Sequence, residues 1–335
     1  MQRAGLNPYK TSPADAGDRI KVADIARVPR HDEPAAYAPG AEILFRAVPS
    51  SESALLYKVI FAVADLLAVA LLLRLVDVRT AAWFAWNPLL VYSFAGAAHF
   101  DSIVLLAIVT MLAALTSFEE SRNIKLRCIY AIGAAIALGL AISVRPIMIV
   151  LLLPTAFALR GYAVTLLLGI LVPLLAGVAV GFSEWNLFGD YAPVSRLDDL
   201  FWWILEDTLW PNWHQQHYRY DVVIIVVSTI VAFVFVRNWK RGMLWSLGAA
   251  IILAPVLHAW YVTWILPLAT WRRAFAWHLL SITIFAYYLF FNQRGLFAME
   301  LPWHADPWLR GMIILPVVFA LAMLARQRFL RKESS

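Results

Sequence analysis

The sequence predicts an all-α polytopic membrane protein that crosses the bilayer about eleven times. Hydrophobic residues make up 62% of its 335 residues and charged residues only 15%, and the mean hydropathy is +0.70. A soluble domain is about 45–50% apolar and about 25% charged, so one soluble core could not hide this much apolar surface. The apolar runs are continuous, which favours helices over the alternating strands of a membrane β-barrel.

The elements follow one another in two predicted regions. Residues 1–52 are polar and predict an outer loop, within which "AYAPGAEILFRAVP" is apolar but too short to span and predicts a juxtamembrane helix. Residues 53–335 predict the transmembrane domain. Some of its apolar runs fall short of the ~20 residues of a straight span. The predicted spans are 53–73, 81–98, 101–118, 126–143, 146–159, 161–182, 221–236, 243–257, 260–271, 274–291 and 307–325.

Lys and Arg are distributed unevenly between alternate loops, which predicts the orientation. Twenty Lys and Arg residues follow residue 58, and fifteen of them fall in the predicted loops of one side of the membrane. The positive-inside rule makes that side cytoplasmic, so residues 1–52, 183–220 and 292–306 should face outward, where Trp260 would anchor the interface. The net charge of +6 is therefore a topology signal and indicates no nucleic-acid partner. The fifteen are Arg74, Arg79, Arg122, Lys125, Arg127, Arg160, Arg237, Lys240, Arg241, Arg272, Arg273, Arg326, Arg328, Arg331 and Lys332.

The outer loop 183–220 carries its own helix signal. Ser195 is a plausible N-cap with Asp198 three residues later, and Pro211 ends the pattern. Apolar residues recur at intervals of three and four, while the acids lie elsewhere on the helical wheel: Asp198, Asp199, Glu206 and Asp207. The pattern predicts an amphipathic helix on the outer membrane surface, acting either as a strut or as a flap over a site.

Polar residues interrupt the apolar sequence at three outer turns. In "SFAGAAHFDSIVLL", Asp101 could cap the following helix or bind a polar substrate together with His99. Arg145 could hold a phosphate or carboxylate, or snorkel to lipid headgroups. His258 and Tyr261 could belong to the interfacial aromatic belt or to the same site. We expect these turns to converge on one outward-facing site.

Several motifs are absent from the sequence. It contains no Walker A motif, no G-x-G-x-x-G, no H-E-x-x-H, no C-x-x-C and no D-x-D. Because D-x-D holds the metal of a nucleotide-sugar in many soluble transferases, a nucleotide donor on the inner face is not expected. No certain cofactor follows from the sequence, which leaves a divalent cation open. The single cysteine, Cys128, excludes an internal disulfide.

The order of these motifs resembles the GT-C superfamily of membrane glycosyltransferases, in particular bacterial α-mannosyltransferases that use a polyprenyl-phosphate sugar. "WNPLLVYSFAGAAHFD" is similar to the W-N-P-L … G-H-x-D turn of that family, and "HAWYVTWILPL" is similar to H-P-W-Y-x-x-W-x-L-P. The element "VRP" matches K-x-x-P with Arg145 in place of lysine. Further matches to the G-x-N-P-Y and Y-x-P motifs are Gly5, Asn7, Pro8, Tyr9, Tyr37 and Pro39.

The resemblance implies transfer of a hexose, specifically mannose, from a polyprenyl-phosphate sugar to a lipid or glycan acceptor. The reaction would occur at the outer face of the bacterial inner membrane. By this resemblance Arg145 and His258 would hold the donor phosphate, and His99 and Asp101 would shape the sugar or acceptor pocket. Asp101 and His258 are the catalytic candidates. The candidate substrate-binding residues are Arg145, His99, Asn7, Tyr9, Tyr37 and Tyr261. The alternatives are a lipid-linked sugar flippase and an inactive glycolipid-binding homologue.

One departure from the family concerns the general base. In the family it is an Asp or Glu between the first transmembrane helix and G-x-N-P-Y, whereas this sequence reaches Gly5 four residues after Met1. The resemblance therefore predicts that a helix of about 20 apolar residues and a carboxylate are encoded upstream of Met1.

Overall fold

The computed structural model describes residues 5–19, 31–35, 37–48, 54–163, 165–180, 199–209, 220–289 and 307–333. All regular elements within these ranges are helical. The α-helices are α1 (Pro13–Ala16), α2 (Pro39–Ala47), α3 (Ala54–Leu72), α4 (Val78–Ala85), α5 (Pro88–Val91), α6 (Ser102–Glu120), α7 (Ile124–Val144), α8 (Leu152–Leu159), α9 (Thr165–Val180), α10 (Tyr220–Val234), α11 (Trp239–Ile252), α12 (Leu266–Arg272), α13 (Phe275–Thr283) and α14 (Pro307–Glu333).

The helical class is confirmed, and each predicted span coincides with helical structure. The helices long and apolar enough to cross a bilayer, among the residues described, are Leu55–Leu72, Ser102–Glu120 and Ile124–Val144. Shorter apolar helices occupy Pro146–Tyr162, Gly169–Val180, Tyr220–Val234, Phe275–Leu289 and Trp308–Met323. The structure thus supports a multi-pass membrane protein, while the number of eleven crossings stays a prediction.

The predicted span 81–98 is broken into pieces, and Asn87 explains where it breaks. Its Oδ1 accepts a hydrogen bond from the backbone N–H of Leu89 at 3.0 Å, so Asn87 caps α5 and Pro88 occupies the first turn. Its Nδ2 donates to Ser281 Oγ of α13 at 2.7 Å. The break is therefore fixed by a buried hydrogen bond to a distant helix, and the chain continues as a π-helical turn over Tyr92–Gly96.

Side-chain contacts sort the turns between helices into two ends of the bundle. At one end Arg273 pairs with Asp77 at 2.8 Å, and Glu119 accepts from Lys240 at 2.9 Å and from Trp239 at 2.7 Å. These residues belong to loops that the charge count places inside. The predicted outer turns meet at the opposite end, as described below. This sorting agrees with the predicted alternation of the spans, because loops predicted to share a side contact each other.

Small residues allow α7 and α9 to approach each other closely. A Cβ atom built on Gly139 would overlap the carbonyl oxygen of Gly169, and one built on Gly169 would overlap that of Ala135. Such contacts are typical of helices that pack inside membranes, where small residues let the two backbones come together.

Gly139→Ala should therefore lower the free energy of unfolding by roughly 1–3 kcal/mol, because the overlap forces two backbones apart. The matched control is Gly133→Ala on the same helix, where an added Cβ meets nothing within 4 Å. Reversible unfolding in mixed detergent micelles measures both variants. Equal stability of the two would show that α7 and α9 are not held in this contact.

The described part of the loop 183–220 contains a helix, but two of its acidic side chains are buried where the prediction exposed them. A π-helix covers Trp203–Leu209, whereas Ser195 and Asp198 lie outside the described residues. Asp199 and Glu206 are buried rather than directed to water, so the predicted amphipathic face is wrong for both. Asp199 accepts from the backbone N–H of Trp203 at 2.7 Å and Glu206 from Tyr220 Oη at 3.1 Å. Arg310 Nη1 also lies 3.9 Å from Asp199 Oδ2, so each buried carboxylate faces a polar or charged partner.

Candidate active site

Asp101 lies at the start of α6, but its carboxylate does not cap that helix. Its backbone is already helical, at φ −63° and ψ −15°, and its side chain makes no capping hydrogen bond. Arg145 donates instead from Nε to Oδ1 at 2.7 Å and from Nη2 to Oδ2 at 3.0 Å, and Trp264 Nε1 donates to Oδ1 at 2.8 Å. The capping alternative is therefore wrong. Asp101, with 0% of its side chain exposed, holds an arginine and a tryptophan in place.

Arg145 points into the protein because of how α7 ends. The following Pro146 disfavours helical backbone at its predecessor, and Arg145 is accordingly extended, at φ −137° and ψ 99°. Its guanidinium carbon lies 4.5 Å from the ring centre of Phe100 and 5.5 Å from that of Tyr261. Only 14% of the side chain is exposed. The snorkelling alternative is therefore wrong. The guanidinium is paired with Asp101 and lies against the aromatic rings of Phe100 and Tyr261.

Three rings from two of the polar turns form a stack beside this ion pair. Trp260 lies between His99 and His258, with ring centres 4.0 Å and 4.4 Å away and interplanar angles of 22° and 7°. Both faces of the indole are therefore covered, and Trp260 is part of the site rather than a simple interfacial anchor. Tyr261 stacks in turn on Trp264 at 4.3 Å.

The backbone that presents His99 is unusual. The π-helical turn Tyr92–Gly96 is followed by Ala98 in the left-handed region, at φ 58°. This conformation costs a non-glycine residue roughly 1–2 kcal/mol. The His99 N–H donates to the carbonyl of Ser93 at 2.9 Å, which helps to hold the turn. Strained and π-helical backbone recurs at functional sites.

Both histidines lie in turns between helices, and their environment keeps them neutral. Burial lowers the pKa of His258 to about 4, with further lowering by Arg145 and His99 and partial opposition from Asp101. Burial also lowers the pKa of His99. The His258 Nδ1 lies 2.9 Å from Tyr287 Oη. At neutral pH, His258 is therefore an uncharged imidazole with one donor and one acceptor nitrogen.

These lowered pKa values predict acid sensitivity. In the unfolded chain a histidine binds its proton near pH 6.5, whereas folded His258 does so only near pH 4. The stability that it contributes is complete above pH 6.5 and is lost as the pH falls towards 4, by up to about 1.4 kcal/mol per pH unit. The free energy of unfolding in detergent between pH 4.5 and 7.5 checks this slope. His258→Asn should flatten it, and an equal slope in both proteins would contradict the assignment.

The N-terminal segment reaches the same end of the bundle through Tyr37. Its ring lies 5.3 Å from that of Phe100 at an angle of 81°, and Tyr37 is half exposed. Tyr9 Oη donates to the Tyr37 carbonyl at 3.0 Å. Asn7 Oδ1 accepts from the Tyr9 N–H at 2.9 Å. Of the predicted substrate-binding residues in this segment, Tyr37 therefore borders the site, whereas Asn7 and the buried Tyr9 support it.

The structure thus brings His99, Asp101, Arg145, His258 and Tyr261 together at one end of the bundle. Sequence analysis missed four residues of the site, namely Phe100, Trp260, Trp264 and Tyr287. Phe100, Trp260 and Trp264 lie in the same two short motifs as predicted residues, so their positions in the sequence could have indicated them. Tyr287 follows the 3-10 turn Ile284–Ala286 after α13, and no local pattern marks it.

These features describe a helical membrane protein with a candidate polar site at one end of its bundle, where a buried ion pair lies beside two imidazoles stacked on Trp260. Residues 1–161 match the family model described as MptA/B family, alpha-(1->6)-mannopyranosyltransferase, N-terminal domain. Over this N-terminal part the chain is similar to a GT-C family of membrane mannosyltransferases, which are hexosyltransferases.

The match contains His99, Asp101 and Arg145, whereas His258 lies beyond it. Searches of curated proteins and of solved structures gave no significant match. In the described part of the chain, no three His, Cys, Asp or Glu side chains are placed to hold a metal ion together.

Proposed function

We propose that this chain transfers mannose from a polyprenyl-phosphate donor to a lipid or glycan acceptor at the outer face of the bacterial plasma membrane. The observation that carries the proposal is the convergence of Arg145 and His258 at the end of the bundle that the charge count places outside. These residues come from helix ends 113 positions apart in the sequence. The similarity of residues 1–161 to the mannosyltransferase family supports mannose as the transferred sugar, and the convergence of Arg145 and His258 supports a phosphate as the group that leaves.

The chemistry requires stabilisation of a leaving phosphate. As the acceptor oxygen attacks the anomeric carbon, the bond from that carbon to the phosphate oxygen breaks and its electron pair stays on the phosphate. Fixed hydrogen-bond donors at that oxygen lower the barrier. We assign this role to the Nε2–H of neutral His258, beside the guanidinium of Arg145.

Asp101 takes a different role from the one that the resemblance implies. Its two oxygens accept three hydrogen bonds from Arg145 and Trp264, so it is a positioning residue rather than a base or a nucleophile. Because Asp101 neutralises Arg145, the pair offers a rigid, directed guanidinium rather than an isolated positive charge. The attacking acceptor hydroxyl must also give up its proton to a carboxylate base, and we assign that role to none of the residues described above.

A transfer assay tests the function directly. Membrane vesicles that contain the full-length protein, including any residues encoded upstream of Met1, are given radiolabelled polyprenyl-phosphate mannose and lipid or glycan acceptors, with a nucleotide-linked mannose as the control donor. We expect label in the acceptor fraction from the polyprenyl donor alone. No transfer from vesicles with correctly folded protein would favour the inactive glycolipid-binding homologue, and transfer from the nucleotide donor would refute the donor assignment.

The proposed membrane face has its own test. On a Cys128→Ala background, single cysteines replace exposed Asp18 and exposed Glu120. A maleimide that cannot cross membranes, added to intact cells, should label the cysteine at position 18 and leave that at 120 unlabelled until the cells are opened. The reverse pattern would place the site in the cytoplasm.

A further inference from the structure

We propose that Tyr287 is a positioning residue that fixes the tautomer of His258, so that Nε2 carries the proton and donates to the donor phosphate. The inference rests on the proposed function for the identity of the phosphate. The hydrogen bond between Tyr287 and His258 and its effect on the imidazole stand on the geometry alone.

The geometry holds the imidazole in one orientation. Tyr287 is 2% exposed, its hydroxyl lies 2.9 Å from Nδ1, and its ring stands at 87° to the imidazole. The imidazole plane is held by Trp260, which stacks on it at an interplanar angle of 7°. Since both the plane and the Nδ1 edge are fixed, the position of Nε2 is fixed as well.

The proton on a neutral imidazole can sit on only one nitrogen. When the Tyr287 hydroxyl donates to Nδ1, the proton must lie on Nε2, which then donates to a phosphate oxygen. If Nδ1 held the proton, Nε2 would present a lone pair to that oxygen and repel it. The contact with Tyr287 uses Nδ1, so Nε2 is the nitrogen that we assign to the phosphate oxygen.

The neighbouring Tyr288 provides a matched control. Its hydroxyl is buried and has no hydrogen-bond partner within the described ranges, and its ring packs against Tyr92, with ring centres 5.0 Å apart. Tyr288→Phe therefore removes the same atom from the adjacent residue without removing a bond to His258.

The tautomer is measured by nitrogen NMR of the full chain, labelled with ¹⁵N in its histidine rings and held in lipid nanodiscs. The His258 signals are assigned by their loss in His258→Asn. In the wild-type chain and in Tyr288→Phe we expect a protonated Nε2 and a hydrogen-bonded, unprotonated Nδ1. Tyr287→Phe should shift the population towards the other tautomer. A proton on Nδ1 in the wild-type chain, or an unchanged tautomer in Tyr287→Phe, would overturn the proposal.

Transfer kinetics add a second readout. Tyr287→Phe should lower kcat/KM for the polyprenyl donor roughly ten- to hundredfold, the usual effect of a hydrogen bond to a charged group, while Tyr288→Phe retains wild-type values. Equal kinetics of the two variants would contradict the positioning role. If the wild-type chain transfers no mannose, the proposed function fails, and the NMR measurement still decides whether Tyr287 sets the tautomer.

Discussion

Asp101→Asn should lower the free energy of unfolding by about 3–5 kcal/mol, the usual cost of removing one partner from a buried ion pair. The substitution keeps the shape of the side chain and one carbonyl oxygen for Trp264. It removes the negative charge that compensates Arg145. The guanidinium then lies uncompensated among aromatic rings, with 14% of the side chain exposed. Reversible unfolding in mixed detergent micelles measures the loss.

Asp77→Asn is the matched control, because Asp77 pairs with Arg273 through the same groups at 2.8 Å while both side chains are largely exposed. Water screens such a pair, so stability should change far less, and asparagine can still cap α4. The double variant Asp101→Asn/Arg145→Met should recover most of the loss, because it removes the uncompensated charge. Additive losses in the double variant would show that the two side chains are not coupled.

The sequence predicts where the site lies better than how it is built. Charge asymmetry and interrupted apolar runs place His99, Arg145 and His258 at turns of one side, and the structure brings those turns together. The bond between Asp101 and Arg145 joins residues 44 positions apart. No local pattern encodes that bond, so the same Asp101 could equally be interpreted as a helix cap.

Residues whose roles depend on distant partners were predicted least well, for a physical reason. Trp260 has the composition of an interfacial anchor, and only the positions of His99 and His258 make it the centre of a stack. Asp199 and Glu206 have a surface-like pattern, but Tyr220 lies within hydrogen-bond distance of Glu206, and Asp199 accepts from a backbone N–H and lies 3.9 Å from Arg310 Nη1. Burial of a polar side chain depends on distant partners, which the helical period of its own segment does not specify.

His258→Asn should lower kcat for mannose transfer by about 10²–10³-fold, the cost of removing one preorganised donor from a site where charge develops. The asparagine amide can take the place of the Nδ1 edge and keep the contact with Tyr287 Oη, but it is too short to reach the position of Nε2. The loss should therefore appear in catalysis, and the chain should remain folded at neutral pH.

His258→Gln distinguishes the loss of the Nε2–H donor from the loss of the imidazole ring as a packing group. The longer glutamine side chain can place its N–H₂ near the position of Nε2, so we expect it to retain more of the wild-type kcat than asparagine does. Both variants lose the stacked imidazole on Trp260, so a purely structural role would impair them equally. Activity is measured with the polyprenyl donor, and the free energy of unfolding of each variant is measured alongside it. Equal activities of the two variants would show that His258 acts only in packing and that Arg145 alone contacts the leaving phosphate.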